Sequence, residues 1–412
     1  MDEKAAVLTM EQFEEAEDLA KRHLLQTRLI YSEYYSELTG NKVYFKPENM
    51  QATGAYKVRG ALYEVAKLTP EQRAVGIVVA STGNFALGVA FAARIFKAKV
   101  TVVMPYVTPF TRVNHTRDMG AEVILEGQDY AQAKAYAIQM AEERGMTYVQ
   151  AFDAPRVAAG HGSIALEIFQ ELPTVDVMIV PVDGGGITAG VAVLAKMLNP
   201  NISVIAAEPA GANFLEESMR AGRPVEIPRV NTIADGAALR APGKSLFPLI
   251  QQYVDKVITV EDEELIVAFL DMLENHKMVV ENGGLVAAAA LRHLDLEGKK
   301  IVAVLGAGNM DMITMASIVQ HGLILRDRIF TVSVLLPDKP GELANVAALV
   351  AQEQGNVIKL EHNQFVSINR DAAVELRITI EGDGPEHKTQ LVRALAEKGY
   401  RPKIVPLSGA FL

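Results

Sequence analysis

The stretch VDVMIVPVDGGGITAGVAVLAKML, residues 175–198, joins a near-continuous β-branched run to a helical apolar pattern through three glycines. A strand without polar alternation is buried on both faces, the condition of a parallel strand covered by helices. Its glycines sit where strand hands over to helix N-terminus, and there unpaired backbone N–H groups and the helix dipole favour an anion. The unit recurs on either side. VGIVVA (75–80) enters STGN and then FALGVAFAARIF, and KKIVAVL (299–305) enters GAGN and then MDMITMASIVQ. AKVTVVM (98–104), AEVILEG (121–127) and ISVIAAEP (202–209) extend the alternation. The sequence therefore predicts an α/β open sheet whose ligand carries more than one anionic group and binds at the carboxyl ends of the strands.

The pattern changes near residue 328. RIFTVSVLL (328–336) alternates as a half-buried strand, DKPGEL makes a turn and an acidic helix start, and NVAALVAQEQG reads as an amphipathic helix. With NVIKLEHNQF (356–365), AAVELRITIEG (372–382) and a last helix from His387, this gives a β-α-β-β-α-β, ferredoxin-like order. The expected division is 1–327, with a smaller lobe at about 56–155, and 328–412. Two or three domains suit a chain of 412 residues.

Composition removes several classes of function. Cysteine is absent, which excludes disulfides, thiolate zinc sites and a cysteine nucleophile and fits a reducing, cytoplasmic setting. Forty basic against fifty acidic residues give a net charge of −10, which disfavours nucleic acid. The acidic, amphipathic start lacks the pattern of a signal peptide, and no apolar run reaches a membrane span.

Three segments could carry chemistry. Lys57, in KPENMQATGAYKVRGA (46–61), follows a glycine turn and opens a helix between aromatic and apolar neighbours. A lone lysine is usually a solvated surface residue. At a partly buried helix N-terminus it loses solvation, which lowers its pKa and makes it a usable nucleophile and base. Ser81, Thr82, Gly83 and Asn84 could hold a carboxylate, or they form an N-cap and a tight turn. Gly184, Gly185 and Gly186 make a phosphate nest, or they let helix and strand pack closely.

The set GAYKVRGA, STGN, PVDGGGI, AAEPAGA, NTIADGAA, VENGG and GAGNMD resembles, in that order, the fold-type II pyridoxal phosphate (PLP) enzymes. The chain looks like the threonine/serine ammonia-lyases, and DKPGEL resembles the ACT regulatory domain that follows the catalytic part in their catabolic short form. The resemblance implies two tryptophan synthase β-like lobes with the pocket between them. It implies that Lys57 carries PLP as a Schiff base and then acts as general base, and that Asn84 bonds the pyridine O3′. Gly184 to Ile187 would wrap the phosphate, and Ser81 to Asn84 would take the substrate carboxylate. The implied reaction converts L-threonine to 2-oxobutanoate, or serine to pyruvate, with release of ammonia. It needs no metal and no thiol. A homodimer or homotetramer responding to a small effector at the ACT-like domain is implied as well.

The chain departs from the family pattern around the pocket. STGNFALG replaces the usual SAGNHAQG, changing Thr82, Phe85 and Leu87. Asp183 takes the first place of the usual GGGG, where an acid beside a dianionic phosphate costs affinity. The usual serine facing the pyridine nitrogen is Gly306, VENSG is VENGG with Gly283, and GQGT is Gly160-His161-Gly162-Ser163. Phe214 stands where a carboxylate would complete a cation site with Glu208, so no metal is expected. His161 lines the pocket or serves structure rather than acting as an acid. Thr82 occupies the place of the second proton carrier of the racemases, so racemisation or altered elimination stays open. Gly184-x-Gly186-x-x-Ala189 with Glu208 also fits a dinucleotide fingerprint, but that reading leaves GAYKVRGA and STGN without a role. An amino-acid sensor that has lost catalysis is the remaining alternative.

Overall fold

The computed structural model describes residues 6–364 and 374–406. The far ends of the two strands read at 356–365 and 372–382 fall outside them. The chain divides into two compact units, 1–311 and 312–412. The division precedes residue 328 because helix Met312–Leu325, read as completing the third strand–glycine–helix unit, groups with the C-terminal unit.

The first unit holds two sheets. The larger has six strands in the order Ile30–Ser32, Lys42–Pro47, Lys300–Leu305, Val177–Pro181, Ser203–Pro209 and Lys256–Val260. All neighbours in it are parallel except the first pair. The smaller is wholly parallel, in the order Glu122–Leu125, Val100–Met104, Ile77–Ala80 and Thr147–Tyr148. Strands Val177–Pro181 and Ile77–Ala80 are buried along their whole length, as their unbroken apolar character requires. Each valine or isoleucine so placed contributes about 1.5–3 kcal/mol.

Three helices tie the lobes together. Helix Pro155–Glu171 packs on helix Lys57–Ala66 and on helix Gly186–Leu198. The contacts leave no space for side chains. A Cβ on Gly190 would lie 2.0 Å from the Ala158 carbonyl oxygen, and one on Gly160 would lie 2.6 Å from the Gly60 Cα. The helix that opens with Lys57 is thereby locked to the helix that opens at the glycine-rich turn.

The second unit carries a four-stranded antiparallel sheet, in the order Asn356–Asn363, Val374–Glu381, Ile329–Leu336 and Lys403–Val405. Helices Glu342–Gln352 and Pro385–Glu397 complete the β-α-β-β-α-β order. Its core is built from Val332, Val334, Leu376 and Ile378 of the sheet with Val346, Val350, Leu391 and Leu395 of the helices. No described helix is long and apolar enough to cross a membrane.

Candidate active site

Lys57 reaches its place through the turn before it. Gly54 holds φ +70°, and a Cβ there would meet the Asn309 side chain at 2.3 Å. The turn is stitched to the end of strand Lys300–Leu305 by Tyr56 N–H to Gly306 O at 3.0 Å and Gly308 N–H to Gly54 O at 2.9 Å. Two residues on, Arg59 anchors the helix in a buried charge network. Its guanidinium donates to Glu48 at 2.7 and 2.8 Å and to Glu167 at 2.7 and 2.9 Å, and Lys46 Nζ lies 2.5 Å from Glu167. Two acids balance two bases there. Burial alone would push the Glu48 carboxyl up, but Arg59, Lys46 and the Thr27 hydroxyl together outweigh it and hold the carboxyl below its usual range.

Lys57 Nζ forms an ion pair with Asp183 Oδ2 at 2.7 Å. The same oxygen accepts from the Tyr56 hydroxyl at 2.6 Å, and Asp183 Oδ1 accepts from Gly184 N–H at 2.8 Å. Burial, with the Asp183 charge beside it, pushes the Tyr56 phenol well above its ordinary value. Asp183 adopts φ +44° and Gly185 φ +92°, so the chain turns sharply into helix Gly186–Leu198. The first intrahelical bond there is Ala189 N–H to Gly185 O, so the N–H groups of Gly186, Ile187 and Thr188 precede the ladder and can bind an oxyanion.

Asn84 opens helix Asn84–Phe96 and lines the same cleft. Its Oδ1 accepts from Asn309 Nδ2 at 2.8 Å, and its Nδ2 donates to Glu281 at 2.9 Å, leaving one N–H for a ligand oxygen. Burial pushes the Glu281 carboxyl up to about 7, with the Lys57 charge opposing. Lys57, Asn84, Asp183 and Gly306 face one cleft with Glu281 and Gly283. Gly306 and Gly283 both leave room for a Cβ, with nearest atoms at 3.4 and 3.5 Å.

The remaining expected residues lie around this cleft rather than in it. Ser81 is buried and its hydroxyl accepts from Gly83 N–H at 3.4 Å, while Thr82 and Gly83 form the half-exposed turn before the helix. Phe85 and Leu87 point into the core. His161 is 2% exposed, packs edge-on against Tyr56 with ring centroids 4.8 Å apart, and accepts Gly60 N–H on Nδ1. Burial drives its pKa down to about 3, so the ring is neutral and carries its proton on Nε2. Gly184 packs against Phe152 and could not bear a Cβ. Glu208 is fully buried, accepts from the N–H groups of Leu215 and Glu216 at 2.9 and 2.7 Å, and is pushed up to about 8 by burial. No group of three or more His, Asp or Glu side chains able to hold a metal occurs among the described residues.

Sequence reading missed Glu281 and the partnership of Tyr56 with Asp183. VENGG contained the first, but Gly283 drew attention there. No sequence signal joins residues 56 and 183.

The donor set fits pyridoxal phosphate: an amine, helix-start N–H groups outside the hydrogen-bond ladder for the phosphate, and an oriented amide. The match to the pyridoxal-phosphate dependent enzymes spans residues 20–306. The chain belongs to that family; its cofactor is pyridoxal phosphate, and its α/β core is of fold type II. Among its relatives, the L-threonine ammonia-lyase of Thermotoga maritima is 38% identical over 400 residues, covering 97% of this chain and all of that one. That of Geobacter sulfurreducens is 40% identical over 390 residues, covering 94% and 97%. Among solved structures, threonine deaminase isoform 2 of Solanum lycopersicum superposes with a TM-score of 0.72 at 29% identity, covering 77% of this chain and 96% of that one. Maize serine racemase gives 0.73 at 30% identity, covering 78% and 99%.

Proposed function

We propose that this protein is an L-threonine ammonia-lyase that also accepts L-serine, releasing 2-oxobutanoate or pyruvate and ammonia. The observation that carries the reading is the convergence of Lys57, Asn84, Gly306 and Asp183, the residue that leads into the 184–187 turn, on one cleft, in a chain similar to the T. maritima enzyme over 97% of its length. When bound, pyridoxal phosphate supplies an electron sink that acidifies the α-hydrogen of an amino acid. Lys57 holds the cofactor and then takes that α-proton on Nζ. Asn84, fixed from both sides by Asn309 and Glu281, orients the cofactor ring. The N–H groups of Gly186 and Ile187 hold the phosphate, and the Ser81–Asn84 turn receives the substrate carboxylate. The network around Arg59 keeps the Lys57 helix from moving. The loss of a hydroxyl rather than a second protonation at Cα makes this a lyase and not a racemase.

In this reading residues 328–412, together with helix Met312–Leu325, form an ACT-like regulatory domain. The edge strand Asn356–Asn363 exposes Ile358 and Leu360, 45% and 38% accessible, which suits pairing with a second copy in a homodimer or homotetramer. An amino-acid effector would bind at that paired sheet, and the enzyme would work on free amino acids in the cytoplasm.

Incubating the cofactor-loaded protein with L-threonine tests the reading. It should yield equimolar 2-oxobutanoate and ammonia. D-allothreonine without 2-oxo acid would point to inversion at Cα, and no change in threonine or serine would end the proposal.

A further inference from the structure

We infer that Asp183 is a catalytic proton carrier that passes the proton taken up by Lys57 to the departing hydroxyl of the substrate. The inference rests on the reading of Lys57 as the base of a β-elimination, and it adds a component that reading does not contain. Three observations carry it. Asp183 Oδ2 lies 2.7 Å from Lys57 Nζ, within direct proton-transfer distance. The carboxylate is built into that position, with Gly184 N–H holding Oδ1 at 2.8 Å and the Tyr56 hydroxyl holding Oδ2 at 2.6 Å. Asp183 also sits at φ +44°, in the left-handed region, where its short side chain bonds the neighbouring backbone and is thereby held in place.

Neither of the other titratable groups beside Lys57 makes a described hydrogen bond to its amine. Glu281 accepts from Asn84, and His161 is buried with Nδ1 bonded to Gly60. Among the described residues, Asp183 is the acid in hydrogen-bond contact with the Lys57 amine.

The proton balance closes without a further reactant. The Cα–H bond breaks; its proton goes to Lys57 Nζ and its electron pair ends in the new Cα=Cβ bond. Nζ–H gives that proton to Asp183 Oδ2, and the new O–H donates it to the β-hydroxyl oxygen as the Cβ–O bond breaks. The bonding pair leaves with oxygen, and the product is water. Hydroxide is a poor leaving group and needs that proton; chloride does not. Asp183 should therefore matter for serine and not for β-chloroalanine.

The test compares wild type and Asp183→Asn at equal cofactor content, read from cofactor absorbance. Asparagine keeps the shape and tolerates the left-handed backbone. The variant should lose about a hundredfold or more in kcat on L-serine, while β-chloroalanine elimination stays within about threefold. It should still exchange the α-hydrogen of serine for deuterium in heavy water, followed by NMR, because Lys57 is intact. Tyr56→Phe, which removes only one grip on the carboxylate, should show the same selectivity at smaller size. Equal loss on both substrates, loss of α-hydrogen exchange, or unchanged turnover of serine would overturn the inference. Failure of the wild type to make pyruvate from serine would overturn the proposed function instead. If Asp183→Asn does not fold, the Tyr56→Phe comparison decides alone, and equal effects on the two substrates count against the inference.

Discussion

Gly306→Ser probes the floor of the cleft. Gly306 ends strand Lys300–Leu305, where the family resemblance places the pyridine nitrogen of the cofactor. A Cβ built there meets Gly284 Cα at 3.4 Å, Tyr56 Cδ1 at 3.6 Å and Pro181 Cγ at 3.7 Å, all ordinary contacts. Its φ is not left-handed. The backbone therefore accepts the substitution without shifting, and the melting temperature should stay close to that of wild type. The new hydroxyl can hydrogen-bond the ring nitrogen, a net gain of about 0.5–1.5 kcal/mol for one neutral bond. That corresponds to cofactor binding about two- to tenfold tighter. Spectrophotometric titration of the apoprotein with pyridoxal phosphate measures it, with a melting curve as control. Unchanged or weaker binding in a normally folded variant would show that the ring nitrogen does not face residue 306.

Further outcomes follow from the charges. Arg59→Ala leaves Glu48 and Glu167 buried against Lys46 alone and should cost about 3–5 kcal/mol in denaturant unfolding of the first unit; a loss below about 1 kcal/mol would refute the anchoring role. Glu208, pushed up to about 8, binds its proton more tightly folded than unfolded. Its contribution to stability is thus full below the ordinary carboxylate range and is lost as pH rises through about 8. Glu208→Gln should flatten the fall in melting temperature between about pH 5 and 8, and an unchanged slope would count against it. Truncation after Asp311, the boundary of the first unit, should keep cofactor absorbance and turnover while abolishing any effector response. An effector response that survives would remove the regulatory role from residues 312–412.

Much of the first unit was readable because its signals are local. A β-branched run, a glycine turn and a helical pattern lie within some twenty residues at 175–198, and Lys57, Asn84 and the 184–187 turn each stand at such a junction. What the sequence withheld is pairwise and distant. Asp183 read as an acid that repels phosphate; folded, it meets the Lys57 amine and the Tyr56 hydroxyl. His161 read as lining the pocket or serving structure, and its choice between them comes from burial, which makes it a neutral prop between Tyr56 and Gly60. Glu281 gains its character from the burial and neighbours that only the fold supplies.

The central claim is that Lys57 is the residue on which the cofactor is held and the chemistry turns. Borohydride reduction of the cofactor-loaded protein, followed by digestion and mass spectrometry, tests it most directly. With Lys57 in that role, the reduced cofactor is found on the peptide containing Lys57, and Lys57→Ala gives neither that adduct nor 2-oxobutanoate from threonine. The adduct on another lysine, or substantial turnover by Lys57→Ala, would contradict it.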